Sequence, residues 1–258
     1  MKPTALITGA SGGIGYEMAK WFSKAGYELI LVARSKEKLF EIKEELGLDD
    51  VFVIPQDLSY AGAASDLFEK VRYHGKTVEV LVNNAGFGAG GDFITTEFDK
   101  TQQLLQLNIQ TLTELCHLFL PDMLHSPFKG VPTGILNIAS IAAYLPGPKM
   151  ATYHASKAYV LSFSEALAEE LEDSPITISV LCPGPTSTNF FQNAQVDHAT
   201  IEKNSQTPEE VAVSGFNGFI KGKRVIFPGL MYNAAPLVLK LVSRRLAAKL
   251  TKKFYSND

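Results

Sequence analysis

Cysteine is scarce: Cys116 and Cys182 are the two in 258 residues. Two thiols, one in a helical pattern and one in an apolar strand run, exclude a disulfide scaffold and make a reducing, cytoplasmic setting the expected one. No CxxC and no Cys/His cluster is present, so no metal site is predicted. Basic residues are not in excess. Lys and Arg number 24 against 27 Asp and Glu, a net charge of −3, which argues against a nucleic-acid partner. No run of about 18 apolar residues exists to span a membrane. The apolar run in MKPTALITGAS is too short for a secretory signal and ends in glycines. What remains is 46% hydrophobic and 20% charged, the composition of a globular protein with a sizeable core. No repeat or low-complexity linker divides it, so residues 1–258 read as a single domain with a basic extension over about 229–258.

The chain alternates strand and helix. Ala5 to Thr8 is a short strand, apolar without alternation and so buried on both faces, as in a parallel sheet. Thr8 opens the sequence TGASGGIG, which runs into a helical pattern stopped by Gly26. Strand, glycine turn and helix together suit a dinucleotide. Gly9 permits the tight turn, Gly13 and Gly15 allow close approach of a pyrophosphate and of the helix, and the helix N-terminus offers free N–H groups. The next strand, Glu28 to Ala33, ends at Arg34, where dinucleotide folds that prefer NAD carry an acid. A guanidinium there suits a 2′-phosphate and therefore NADP, with Lys38 one turn on to assist. As a bland alternative, both are solvated charges at a helix start. Val51 to Ile54 forms the third strand. Asp57 beyond it could accept from an adenine amino group or cap the helix at about residues 60–73. Val78 to Val82 leads into Asn83-Asn84-Ala85-Gly86, small enough for a flat ligand to pass. A helix is predicted over about Thr96–Leu124, with Asn108 as a polar residue on its apolar stripe. Buried amides require partners.

The next strand, residues 134–140, delivers Ser140. Tyr153 and Lys157 follow at i and i+4, one face of a helix. A free phenol titrates near roughly pH 10. An ammonium one turn away favours the phenolate, so Lys157 is expected to lower the pKa of Tyr153 and fit it for acid–base work on an alcohol or carbonyl. The Ser140 hydroxyl could hold the same oxygen. Ile176 to Leu181 is the sixth strand and ends in CPGPTST. The β-α alternation predicts an α/β fold: a doubly wound Rossmann-type parallel sheet of about seven strands with helices on both faces, with ligands at the strands' carboxyl ends.

These motifs in this order resemble the compact, single-domain branch of the short-chain dehydrogenases/reductases over about residues 3–228. TGASGGIG is similar to that family's glycine turn, Asn83-Asn84-Ala85-Gly86 to its NNAG motif, and Asn108, Ser140, Tyr153 and Lys157 to its catalytic tetrad. ARSKEKL and LCPGPTSTNF resemble the DltE-like bacterial group and hydroxysteroid and ketoacyl reductases. Gly12 stands where many relatives have serine. The resemblance implies hydride transfer between NADP(H), less so NAD(H), and a carbonyl or alcohol. It implies that Tyr153 exchanges the proton, Ser140 orients the substrate oxygen, Lys157 tunes the phenol and holds the nicotinamide ribose, and Asn108 fixes a water. It extends the cofactor contacts to Ser11, Ile14, Asp57, Leu58, Asn84, Ala85 and Gly86, and to Pro183, Gly184 and Thr188 on the nicotinamide carboxamide. It also implies a homodimer or homotetramer.

Substrate choice is expected in residues 87–93, 142–148 and 190–207 and in the C-terminus. Phe87, Phe93, Tyr144, Leu145, Phe190, Phe191 and Met231 suggest an apolar ketone or alcohol. From Asn233 to Phe254 the tail carries six Lys and Arg and no acid, with Leu237, Leu241, Val242, Leu246 and Leu250 as one apolar face. Packing of that face across the substrate cleft or against a second subunit is expected over contact with a membrane surface. Two other functions fit the sequence, a non-catalytic NADP-binding regulator and a membrane-associated lipid ketone reductase.

Overall fold

The structure is a computed structural model that describes residues 2–47, 51–126, 128, 130–194, 205–229 and 242–255. Seven parallel strands form one sheet in the order β3-β2-β1-β4-β5-β6-β7. They are β1 (Thr4–Thr8), β2 (Glu28–Ala33), β3 (Val51–Pro55), β4 (Val80–Asn83), β5 (Thr133–Ile138), β6 (Ile176–Leu181) and β7 (Val225–Ile226). β1, β4 and β5 are buried throughout, as unalternating apolar strands covered on both faces must be. One face packs on α3 (Ala63–Tyr73), α5 (Leu112–Leu124) and α6 (Ala151–Glu170) around Phe119, Leu67 and Val160. The other packs on α1 (Gly13–Lys24), α2 (Lys36–Leu46) and α8 (Pro208–Ile220) around Phe22, Leu39 and Phe219. The helices start and stop where local chemistry dictates. Ser35 accepts the Lys38 N–H at the start of α2, and Gly47 ends that helix at φ 61°. Thr207 and Glu210 close a capping box on α8 with Pro208 in its first turn. Among the described residues no helix is long and apolar enough to cross a membrane.

The sheet order reverses between β1 and β4. β1 pairs with β2 on one side and with β4 on the other, so the chain leaves β1 and β4 toward opposite faces and opens a crevice at their carboxyl ends. Three local expectations change. The helix predicted over 96–124 is broken into α4 (Phe98–Leu105), one wide turn with π-type bonding (Gln106–Thr111), and α5. Asp57 does not cap α3. Its Oδ1 accepts from the Ser59 N–H and Oγ at 2.9 and 2.7 Å, while Gly62 occupies the cap position. Ser140 lies two residues past the end of β5, where its Oγ accepts the Ala142 N–H at 3.1 Å and caps a short turn over Ile141–Tyr144.

Two further helices frame that edge: α7 (Phe190–Ala194) and α9 (Arg244–Tyr255). α9 lies within the tail expected to pack by its leucines. Within this chain it packs by Ala247, Thr251 and Tyr255, and Leu246 and Leu250 stay exposed. Leu237 and Leu241 lie outside the described residues. Small residues let the helix approach closely, and Tyr255 anchors it through its hydroxyl, 3.2 Å from His154 Nε2.

Candidate active site

The glycine turn and the NNAG segment are knitted together across the crevice. Thr8 Oγ1 accepts the N–H groups of Asn84 and Ala85 at 3.0 Å each. The Asn84 amide donates to the carbonyls of Thr8 and Gly9 at 2.9 and 3.1 Å. No side chain fits between them: a Cβ on Gly15 would stand 2.4 Å from the Gly9 carbonyl oxygen and 2.5 Å from Asn84 Nδ2. Gly9 and Gly13 sit at φ 66° and 54°, where a side chain is strained. The first turn of α1 carries no acidic side chain and no side-chain cap, so its orphan N–H groups remain for an anion. Ser11 is half-buried beside the exposed Gly12. A Cβ on Gly12 would meet nothing within 4 Å, so the position is open to a side chain. Ile14 packs against the core beneath. Pro183 and Gly184 leave β6 and bring Thr188 over the turn, its Cγ2 3.0 Å from where a Gly13 Cβ would be. A shallow cradle with a polar rim results. Its shape and donors fit a dinucleotide pyrophosphate.

Farther along the crevice, Arg34 and Lys38 are exposed at the start of α2. No ion pair holds Arg34 among the described residues. Asp57 is exposed and Leu58 buried at the end of β3, and Leu58 O accepts the Thr111 hydroxyl at 2.9 Å.

Asn108, Ser140, Tyr153 and Lys157 gather on the other side of Gly86. The wide turn in the long helical region turns Asn108 inward, and its amide clamps the backbone of Phe87. Oδ1 accepts the Phe87 N–H at 3.2 Å, and Nδ2 donates to Phe87 O at 3.0 Å and to Ser156 Oγ at 3.1 Å. Such wide turns recur where a helix must aim a side chain at a site. A Cβ on Gly86 would lie 3.1 Å from Asn108 Oδ1 and 3.6 Å from Lys157 Nζ. Lys157 is buried and donates from Nζ to Ile138 O at 2.7 Å. Nζ also stands 5.9 Å from the centre of the Tyr153 ring. Ser140 faces the phenol, and its hydroxyl contact with Pro183 O is long at 3.4 Å, so that proton is weakly committed.

The electrostatics reverse one sequence expectation. The Tyr153 phenol is raised, not lowered: burial dominates, and the Ser140 hydroxyl opposes it without prevailing. A phenolate loses its hydration in this apolar enclosure, and Lys157 points at the Ile138 carbonyl instead of the hydroxyl. Lys157 itself is lowered to about 8 by burial. His154 had not been singled out. It is buried, with Nδ1 2.8 Å from Leu145 O, and burial pulls its pKa down. A neutral ring with Nδ1–H donating to Leu145 leaves Nε2 to accept from Tyr255, whose own hydroxyl is raised to about 12 by burial. A Cβ on Gly147 would stand 2.1 Å from His154 Cδ2, so His154 pins the 142–148 segment against the site. A histidine directly after Tyr153 on the same helix was the available signal.

The apolar residues expected around the substrate divide. Phe87, Phe190 and Phe191 join Met150, Tyr153 and Tyr255 in one cluster, with the Phe190 ring 5.0 Å from that of Tyr153. Tyr144 turns away onto Phe227 at 5.9 Å. Phe93 is 67% exposed, and Met231 lies outside the described residues. Beneath the site, Asn83 Nδ2 donates to Asn137 Oδ1 at 2.9 Å and Asn137 Nδ2 to Ser164 Oγ at 2.9 Å. This buried polar chain locks β4, β5 and α6 in register. Asn137 and Ser164 had not been marked by any sequence motif.

Comparison with known proteins agrees with this geometry. The short chain dehydrogenase family profile matches residues 3–199. The very-long-chain 3-oxoacyl-CoA reductase of Anas platyrhynchos is 35% identical over 215 residues, 80% of this chain and 65% of that protein. The probable oxidoreductase EphD of Mycobacterium tuberculosis is 31% identical over 188 residues, 71% of this chain. This chain thus spans under two thirds of the length of both relatives, and only 31% of EphD. A short-chain dehydrogenase from Sphingobium yanoikuyae, solved in complex with NADPH, superposes with a TM-score of 0.82 at 30% identity over 92% of each chain. With its glycine turn, NNAG segment and Asn-Ser-Tyr-Lys cluster arrayed along one crevice, the chain belongs to the short-chain dehydrogenase family.

Proposed function

We propose that this chain is an NADP(H)-dependent oxidoreductase that interconverts an apolar ketone or aldehyde and its alcohol. The observation that carries the reading is the convergence of Tyr153, Ser140 and Lys157 beside a glycine cradle that side chains cannot enter. When bound, a nicotinamide dinucleotide would give the hydride in reduction and take it up in oxidation. The cradle of Gly9, Ser11, Gly13, Ile14 and Gly15, with the uncapped start of α1, would hold its pyrophosphate. Asn84, Ala85, Gly86, Pro183, Gly184 and Thr188 would hold its nicotinamide half, and Asp57 and Leu58 its adenine half.

Tyr153 gives or takes the proton at the substrate oxygen. Its raised pKa keeps the phenol protonated at neutral pH, the form needed to donate to a carbonyl being reduced. Ser140 orients that oxygen with its weakly committed hydroxyl. Lys157, held on Ile138 O and close to Gly86, would hold the nicotinamide ribose with its remaining N–H groups. Asn108 holds Phe87 and so fixes the floor of the substrate seat. Phe87, Phe190, Phe191 and Tyr255 enclose it, which suits an apolar carbonyl. The long-chain activity named for the Anas platyrhynchos relative supports that class. Exposed Leu105 and Tyr159, the latter stacked on Phe163 at 5.8 Å, suit burial against a second copy of this chain.

Cofactor choice rests on Arg34. The NADPH-bound neighbour supports a nicotinamide cofactor, and an exposed, unpaired guanidinium at the end of β2 favours the 2′-phosphate. Screened by NADPH oxidation against ketones graded in bulk, the wild-type protein is expected to turn over apolar members. Arg34→Asp is expected to weaken NADPH by at least roughly ten- to hundred-fold, because a charge-assisted contact is lost and a carboxylate faces the 2′-phosphate, while NADH, whose ribose hydroxyl an acid can accept from, keeps or gains affinity. Equal effects on both cofactors would remove Arg34 from the phosphate site; no turnover of any carbonyl in the wild type would favour a non-catalytic NADP-binding regulator.

A further inference from the structure

Helix α9 carries three parallel rows of side chains, each spaced i, i+4, i+8 and so aligned along the axis. One row, Ala247, Thr251 and Tyr255, faces the domain. The next, Leu246, Leu250 and Phe254, is 49%, 58% and 52% exposed. The third, Arg245, Lys249 and Lys253, is exposed too. With Arg244 and Lys252 the helix holds five cations and no acid, in a chain of net charge −3. The apolar row therefore lies in water between the domain and a cationic edge. A second exposed apolar group, Phe93, Ile94 and Phe98 at 67%, 92% and 72%, spans the loop that enters α4 and the first residue of that helix. That loop is tied to the start of α6 by the Lys149–Asp92 pair at 2.8 Å and the Gly91 N–H on Lys149 O at 2.9 Å. Tyr255 ties α9 to the same end of α6 through His154. Both groups thus flank the end of the domain that holds Tyr153.

We propose that α9 docks the protein on an anionic lipid surface, with Leu246, Leu250 and Phe254 in the acyl boundary and Arg245, Lys249 and Lys253 on headgroup phosphates. A planar partner that is apolar beneath and anionic above matches adjoining rows of this kind. A second copy of the helix does not, because its own cationic row would face this one with no acid to answer it. Docking at this end sets the site next to the phase in which an apolar carbonyl dissolves. That last consequence rests on the function proposed above; docking itself does not.

Full-length protein without cofactor is sedimented with phosphatidylcholine vesicles, with and without added phosphatidylglycerol. Binding is expected only where phosphatidylglycerol is present, and it should weaken with salt. Reversing the three charges (Arg245→Glu, Lys249→Glu, Lys253→Glu) is expected to lower partitioning by at least about a hundred-fold, from about 1 kcal/mol for each cation at an anionic surface. The variant Leu246→Ser, Leu250→Ser, Phe254→Ser should lose binding while its melting temperature falls by no more than a few degrees, because each side chain is about half exposed and Tyr255 still holds α9 on His154. Absence of binding to either vesicle, binding indifferent to phosphatidylglycerol, or full binding by the serine variant would each overturn the proposal. So would light scattering that shows the serine variant dissociating from an oligomer without any vesicle binding, since the occupant would then be a second copy. Vesicle binding by a protein inactive on every carbonyl would refute the oxidoreductase reading and leave docking standing.

Discussion

Tyr153→Phe is expected to lower kcat by about 10²–10⁴-fold, the range for loss of a positioned general acid, while cofactor affinity stays close to that of the wild type. The substitution removes one oxygen. The ring stays against Phe190 at 5.0 Å, so the apolar seat keeps its shape. The cradle of Gly9, Gly13 and Gly15 does not touch the hydroxyl, and neither does Arg34. What disappears is the proton that burial holds on the phenol. Removing a buried hydroxyl whose facing partner is the weakly committed Ser140 leaves stability within about 1 kcal/mol. The checks are steady-state turnover on a ketone found with the wild type and cofactor titration by fluorescence. Full activity in Tyr153→Phe on that ketone would end the role given to this residue. A parallel loss of cofactor binding would mean that the hydroxyl holds the dinucleotide instead.

The parts of this site that could be read from sequence are those that must be loops with small residues. Gly9, Gly13, Gly15 and Asn84 to Gly86 announce themselves because a backbone crossing leaves no room for a Cβ. Tyr153 and Lys157 announce themselves by spacing. The strands were legible because apolar runs without alternation are unusual outside a covered parallel sheet. Other features depend on tertiary partners. Nothing local distinguishes the wide turn at Asn108 from ordinary helix; it exists because the amide must reach Phe87 across the crevice. Asn137 and Ser164 read as a strand residue and a helix residue, and become a pair only once β5 lies beneath α6. The sign of the Tyr153 shift depends on tertiary partners in the same way. Spacing puts an ammonium one turn away but does not reveal that the ammonium turns to Ile138 or that the phenol is buried. On α9 apolar content picks out the leucines, while the contact with the domain runs through Ala247, Thr251 and Tyr255 on His154, which only the tertiary neighbours reveal.

Lys157→Met is expected to make an inactive protein that is more stable than the wild type at neutral pH when no cofactor is bound. Burial lowers the folded-state pKa of Lys157 from 10.5 to about 8, so at neutral pH the folded chain carries a buried ammonium at a cost of at most about 3 kcal/mol. Methionine fills similar space without charge, but leaves the Ile138 carbonyl without its donor, worth about 1–3 kcal/mol. The net gain is up to about 2 kcal/mol. It carries a pH signature. Between about pH 8 and 10.5 the folded wild type releases the proton that the unfolded chain still holds, so wild-type stability rises relative to the variant and its advantage closes. Buried Cys116 and Tyr27, both raised to about 12, titrate in both proteins and cancel in the difference. Urea unfolding of the pair across this pH interval measures the gap directly. A variant less stable at neutral pH, with a gap that ignores pH, would show that Lys157 is a satisfied structural cation. A gap that closes while turnover is lost would show a charge kept at the site for chemistry and at the expense of the fold, the usual relation between stability and activity at such positions.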